Sequence, residues 1–170
     1  MSDDRRTILY ATDLGENTEY ILQHTLKLAG CMDARIVLLH VVPPPRRCDE
    51  MMLESVAGGA LEQGVRDAAL AKVTERVEAL INVTCMAVTG KAVGDGGPVC
   101  DLVTAHGLPT DEILRVAEDQ CAEMIVLGTG GGKFLVPNQL GSVARQLTHL
   151  SRVPVLLVPN RGGCEPGTAA

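Results

Sequence analysis

Apolar residues along this chain fall into two patterns, short unbroken runs and stripes of helical spacing, and the two alternate. Unbroken runs occur at 7–12 (TILYAT), 35–42 (RIVLLHVV), 124–128 (MIVLG) and 153–158 (VPVLLV). They are short and mostly rich in β-branched residues, which predicts strands buried on both faces. After the first run, Ile21, Leu22, Leu26 and Ala29 recur at helical spacing, with Asn17 or Thr18 as N-cap and Gly30 as the natural stop. Pro43–Pro44–Pro45 ends the second run, and 43–57 reads as an irregular loop. Leu61, Val65, Ala69, Val73, Val77 and Ile81 then predict a long helix over 59–81. Both VTCMAVT (83–89) and VCDLVTA (99–105) have the composition of strands, with turn-rich GKAVGDGG between them. The expectation is a core strand at 99–105, with 83–89 pairing to it as an added hairpin. Thr110 predicts the cap of a helix that carries Asp111 and Glu112 in its first turn and ends near Asp119. Val143, Ala144, Leu147 and Leu150 predict a last helix over 142–150.

Strands alternating with helices predict an α/β fold: a single doubly wound domain with a five-stranded parallel sheet flanked by helices, and the extra hairpin strand within 83–105. The domain spans 1–160, with 161–170 as a mobile tail. Such sheets bind ligands beyond the carboxyl ends of their strands. That rule brings Thr12–Asp13, Val41–Val42 and the stretch from Gly128 onward to one rim.

Composition narrows the function. Hydrophobic residues make up 46% of the 170, yet Tyr10, Tyr20 and Phe134 are the only aromatics. The core is therefore aliphatic, and the platforms on which single-stranded nucleic acid stacks are missing. The net charge is −6, and Arg5–Arg6 and Arg46–Arg47 are isolated basic pairs rather than a stripe. This argues against a nucleic-acid partner and against a membrane partner. No apolar run approaches transmembrane length and the first residues carry no secretory core, so the chain reads as cytoplasmic. Six cysteines without a CxxC pair or zinc-ligand spacing read as small buried hydrophobes plus a tail thiol, Cys164, with no metal ligands. No Ser–His–Asp set can be assembled from spacing, and no catalytic residue is assigned.

The stretch GTGGGKFLVPNQLGS, residues 128–142, carries the chemistry. Lys133 stands where GxGxxG would need glycine, and Leu127 and Phe134 break the P-loop template. The spacing that fits is G-x2-G-x9-G-[ST], made by Gly128, Gly131, Gly141 and Ser142. Glycines there can bring bare backbone N–H groups against an anion, and Gly141–Ser142 opens a helix whose free N–H groups favour phosphate. This motif resembles the nucleotide-binding signature of the universal stress protein family. The opening ILYATDLGENTEYILQHTLKLA, the run RIVLLHVV, and the C-terminal DEILRVAEDQCAEMIVLGTGGG and LGSVARQLTHLSRVPVLLVPN resemble the same family. The resemblance implies a five-stranded parallel α/β fold and a cytoplasmic stress-response sensor that binds ATP or a related adenine nucleotide, with Mg accompanying the phosphates near Asp13 and Ser142. It places Asp13 by the ribose and adenine, Thr12 beside it through its backbone, the Val41 backbone at the adenine edge, and Gly128, Gly131, Gly141 and Ser142 at the phosphates, with Leu127 and Val143 adding backbone contacts. It also implies a homodimer through the last strand, Val153, Val155, Leu156, Leu157 and Val158. Slow ATP hydrolysis or autophosphorylation near Ser142 is one alternative, and a nucleotide-free dimeric interaction module is another.

Overall fold

The computed structural model describes residues 6–44, 63–130 and 140–159. Within them the chain forms β1 (Arg6–Thr12), α1 (Thr18–Met32), β2 (Ala34–Val42), α2 (Gln63–Thr89), β3 (Val99–His106), α3 (Pro109–Asp119), β4 (Met124–Gly128), α4 (Ser142–Leu150) and β5 (Val155–Val158). The five strands make one sheet in the order β3-β2-β1-β4-β5, every pairing parallel. Alternation along each strand divides the core in two. Ile8, Tyr10, Ile36 and Leu38 pack under Ile21, Leu22 and Ala29 of α1 and Ile81 and Cys85 of α2. Leu9, Ala11, Val37 and Leu39 pack against Ile113, Val116 and Ala117 of α3 and Ala144 and Leu147 of α4. Side chains of period two on the strands thus meet helical stripes on both faces, which makes the central strands read as continuous apolar runs.

The added hairpin is not formed. Residues 83–89 continue α2 to Thr89, and β3 pairs only in parallel with β2. The helical phase decides this. Val77, Ile81, Cys85 and Val88 lie three or four residues apart and all face the first core half. The β-branched residues that suggested a strand are accommodated locally: the Thr84 hydroxyl donates to the Leu80 carbonyl (3.0 Å) and the Thr89 hydroxyl to the Cys85 carbonyl (2.8 Å). Gly90, at φ +71°, then turns the chain, with its N–H on the Met86 carbonyl at 3.0 Å.

Smaller corrections concern the caps. α1 runs past Gly30 to Met32 and is closed by Asp33 in the left-handed region, whose N–H returns to the Ala29 carbonyl. Asn17 occupies the N-cap position without a side-chain cap bond. α3 opens on Leu108 and Pro109 rather than on a Thr110 cap, and the Thr110 hydroxyl instead bonds Gln146 Oε1 of α4 at 2.6 Å. Of the cysteines, Cys85 is buried and Cys100 half-buried, whereas Cys31 and Cys121 are exposed. Cys48 and Cys164, much of the loop 43–57, Leu61 of the α2 stripe and the tail 161–170 lie outside the described residues. No helix among the described residues is long and apolar enough to cross a membrane.

Candidate functional site

The sheet order fixes where a site can be. From β1 the chain winds outward through β2 to β3, then crosses back to place β4 and β5 on the other side. The switch point therefore lies between β1 and β4, and the crevice outside the carboxyl ends of a doubly wound sheet opens there.

On one side of the crevice stands the turn after β1. Thr12 is buried and Asp13 exposed. The Asp13 Oδ1 accepts the Gly15 N–H at 3.1 Å, and the Thr12 hydroxyl accepts the Leu14 N–H at 3.0 Å. The Thr18 hydroxyl donates to the Gly15 carbonyl at 2.7 Å. Its single proton is thereby used, so in the 3.2 Å contact between the two threonine hydroxyls Thr12 is the donor. The Tyr10 hydroxyl donates to the Thr18 carbonyl at 3.0 Å. Burial raises the Tyr10 phenol well above its usual range, so this hydroxyl keeps its proton. These bonds hold Leu14 at φ +58°, a conformation uncommon for a residue with a side chain.

Val41, half-buried at the end of β2, is the next wall. The Val42 carbonyl accepts the Gly107 N–H at 3.1 Å, so the Val42 backbone points toward β3. Alternation along a parallel ladder turns the N–H and C=O of Val41 the other way, toward β1. The last β1–β2 pair is Thr12 with His40. The Leu14 N–H, which would next climb the ladder to the Val41 carbonyl, is taken by the Thr12 hydroxyl. The Val41 carbonyl thus faces the gap beyond the end of β1.

The far wall is built by β4 and α4. Leu127 is buried, with Gly128 half-buried beside it, and the Thr129 N–H continues the ladder to the Val158 carbonyl at 3.0 Å. The chain re-enters at Gly141, whose N–H donates to the Thr129 carbonyl at 2.7 Å. A Cβ on Gly141 would stand 3.4 Å from both the Gly130 Cα and the Thr129 carbonyl oxygen. The start of α4 is thereby pinned against the end of β4. Gly141 is its N-cap and offers no capping side chain, and the first turn closes with the Arg145 N–H on the Gly141 carbonyl at 2.9 Å. The N–H groups of the intervening residues, Ser142 to Ala144, have no acceptor within the helix, and the dipole adds positive character there. Ser142 is exposed, while the Val143 side chain packs into the core.

Of the residues singled out in the sequence, Thr12, Asp13, Val41, Leu127, Gly128, Gly141, Ser142 and Val143 come together on this edge. Gly131 lies outside the described residues, as does Lys133. Leu127 and Val143 have their side chains in the core, so only their backbone reaches the rim. Sequence reasoning missed Gly15 and Thr18, which hold the β1 turn; the ENT triplet offered a cap but gave no sign of a hydroxyl relay. His40 is half-buried, and its Nδ1 lies 2.8 Å from the Thr12 carbonyl. The Thr104 hydroxyl, opposite His40 in register, is buried without a hydrogen-bond partner among the described residues. No group of three or more His, Cys, Asp or Glu side chains stands close enough among them to hold a metal ion.

Comparison with known proteins agrees with this architecture. The model of the universal stress protein family matches residues 4–159, nearly the whole chain. The chain belongs to the universal stress protein family. Universal stress protein MJ0577 of Methanocaldococcus jannaschii is 30% identical over 166 residues, covering 95% of this chain and 99% of its own. The solved structure of MJ0577 superposes with a TM-score of 0.68 at 25% identity, covering 93% of this chain and 98% of that one. Two more distant universal stress protein structures share the fold. One, in complex with cAMP, has a TM-score of 0.51 at 18% identity and covers 92% and 98% of the two chains. The other, from Archaeoglobus fulgidus and in complex with dAMP, has a TM-score of 0.50 at 17% identity and covers 89% and 96%.

Proposed function

We propose that this universal stress protein binds ATP or a related adenine nucleotide across the β1–β4 crevice and works as a stress-response sensor or regulatory module. The observation that carries the reading is the seating of Gly141 on the Thr129–Gly130 backbone, which sets the uncapped start of α4 beside the end of β4. Phosphates would lie on the N–H groups of Ser142 to Ala144 with the Ser142 hydroxyl as a further donor, and Gly128 and Gly131 would let the backbone approach. The base would meet the Val41 carbonyl, and Asp13, exposed at the mouth, would face the ribose. Two structural relatives in complex with cAMP and dAMP support an adenine ligand. The residues present fit Mg only as a companion of the phosphates: Asp13 offers a carboxylate at the rim, no group of three or more metal-ligating side chains stands close together among the described residues, and Mg commonly binds through one or two carboxylates plus phosphate oxygens.

Mass spectrometry of small molecules released from freshly purified, denatured protein tests the reading. Near-stoichiometric adenine nucleotide is the expected result. An empty protein whose melting temperature also stays fixed in millimolar ATP would leave an interaction module without nucleotide, because a ligand of the native state must stabilise it. The exposed Ser142 hydroxyl at the first position of α4 favours a second reading, slow autophosphorylation or hydrolysis. Labelled protein or product after hours with radiolabelled ATP supports that activity; the absence of both removes it.

A further inference from the structure

One interaction beside the crevice has no direct part in the proposed phosphate and base contacts. A carbonyl oxygen can only accept, so His40 Nδ1 carries the proton and donates across the strand pair to Thr12 at 2.8 Å. The bond lies on the last rung of the β1–β2 ladder. Two residues later the Leu14 N–H leaves that ladder for the Thr12 hydroxyl. The imidazole therefore grips the residue at which β1 stops pairing, and the consequence of that stop is a Val41 carbonyl with no strand partner on its β1 side. From this we infer that His40, acting through Thr12, is a positioning residue that makes the crevice select adenine over guanine. The inference rests on the adenine-nucleotide reading above and deepens it.

The physical reason is complementarity of donors and acceptors. At the same ring position adenine carries an amino group, a donor, and guanine an oxo group, an acceptor. A fixed backbone carbonyl satisfies the first and repels the second. Sites built to hydrogen-bond one group reject the analogue that cannot, because a buried polar atom is left unpaired. The Thr12 carbonyl also takes the Val41 N–H on that rung, so without the imidazole the β1 end is held by one bond fewer and could shift until Leu14 extends the ladder onto the Val41 carbonyl. The acceptor would then be consumed by the protein itself. The relay from Leu14 N–H through the hydroxyls of Thr12 and Thr18 to the Gly15 carbonyl supports the same stop from the α1 side.

The test is calorimetric titration of ATP and of GTP onto the full chain, wild type and variants, with the ratio of dissociation constants as readout. Wild type is expected to favour ATP by about tenfold or more, the scale of one hydrogen bond gained or lost. His40→Leu is expected to bring the ratio to within about threefold, on the same scale. His40→Asn, whose Nδ2 can donate from nearly the same place as Nδ1, is expected to keep it. A histidine that only fills space would alter stability and leave the ratio alone, so an unchanged ratio in His40→Leu overturns the inference. Should His40→Leu fail to fold, the isosteric Thr12→Val removes the acceptor for Leu14; collapse of the ratio supports the inference and an unchanged ratio overturns it. Wild type that binds ATP and GTP equally overturns this inference alone. Wild type that binds neither overturns the nucleotide reading with it.

Discussion

Gly141 shows how little room the rim leaves. Its φ of −59° is open to any residue, so the requirement is for space rather than conformation. An alanine Cβ would fit at van der Waals distance from Gly130 and Thr129. Valine adds methyl groups that reach over the helix N-terminus, where phosphate would lie. Gly141→Val is expected to weaken ATP binding by more than about tenfold, and Gly141→Ala by much less, both read by calorimetry. Tyr10 supplies a second residue-scale prediction. Its phenol is held protonated in the fold by burial, while in the unfolded chain it ionises near pH 10. Folded Tyr10 therefore binds more protons than unfolded Tyr10 above that pH. Its contribution is intact below about pH 10 and declines by up to about 1.4 kcal/mol per pH unit as pH rises further. Burial pushes the Cys85 thiol up as well, which adds a loss of the same sign. Urea unfolding followed from pH 8 to 11 checks this: Tyr10→Phe should be about 1 kcal/mol less stable at pH 8, having lost the bond to Thr18, yet show a shallower alkaline decline. The position of rim residues was legible where a side-chain type or spacing marks a strand end or helix start, as at Asp13, Gly141 and Ser142. His40 and Thr18 act through backbone carbonyls, and no spacing in the sequence marks which carbonyl a side chain will meet.

At the scale of elements, the instructive case is α2. Locally, VTCMAVT favours a strand, yet one Thr84 bond, one Thr89 bond and the burial of Cys85 keep it helical. Proline separates the two possibilities. Val83 is 66% exposed, so its side chain contributes little packing. In a helix interior Val83→Pro deletes a backbone hydrogen bond and clashes with the preceding turn, at a cost of about 3 kcal/mol. On an exposed edge strand the same change would be far milder. Chemical denaturation should show the larger loss, and a change below about 1 kcal/mol would contradict a helix through this position. The remaining elements were foreseen closely, because β1, β2, β4 and α4 each carry a pattern that only one period fits. Their ends were less legible. Asp33, not Gly30, closes α1, and Pro109 rather than Thr110 opens α3. Caps depend on where the neighbouring element lets the chain leave, as the Thr110–Gln146 bond between α3 and α4 illustrates.

For the molecule as a whole, the sheet leaves β5 at one edge. Edge strands with free backbone groups invite pairing with another chain. Val153, Val155 and Leu157 are half-buried, Val158 is buried, and Leu156 is 37% exposed. We propose that two copies pair through this strand, as the family resemblance suggests. Leu156→Asp would place like charges near the twofold axis of such a pair, and light scattering is expected to show a monomer where wild type is a dimer. A dimer that survives the charge would place the interface elsewhere. The proposed nucleotide site lies at the strand ends while β5 offers its long edge, so the substitution should leave ATP affinity nearly unchanged.

The sequence alone determined the class of fold, because aliphatic runs of strand length alternating with helical stripes have few compact solutions besides a parallel sheet covered on both faces. It also marked the glycine-opened start of α4, since glycine spacing followed by serine at a helix start is a local pattern. Tertiary structure decided the rest. Whether 83–89 was strand or helix depended on a core that begins with residues of β1 and β2, far away in sequence. The open Val41 carbonyl depended on where β1 stops pairing, and the grip on Thr12 depended on the β1–β2 register that puts His40 opposite it. Local pattern specifies which face a residue prefers; only packing specifies which backbone group is left without a partner.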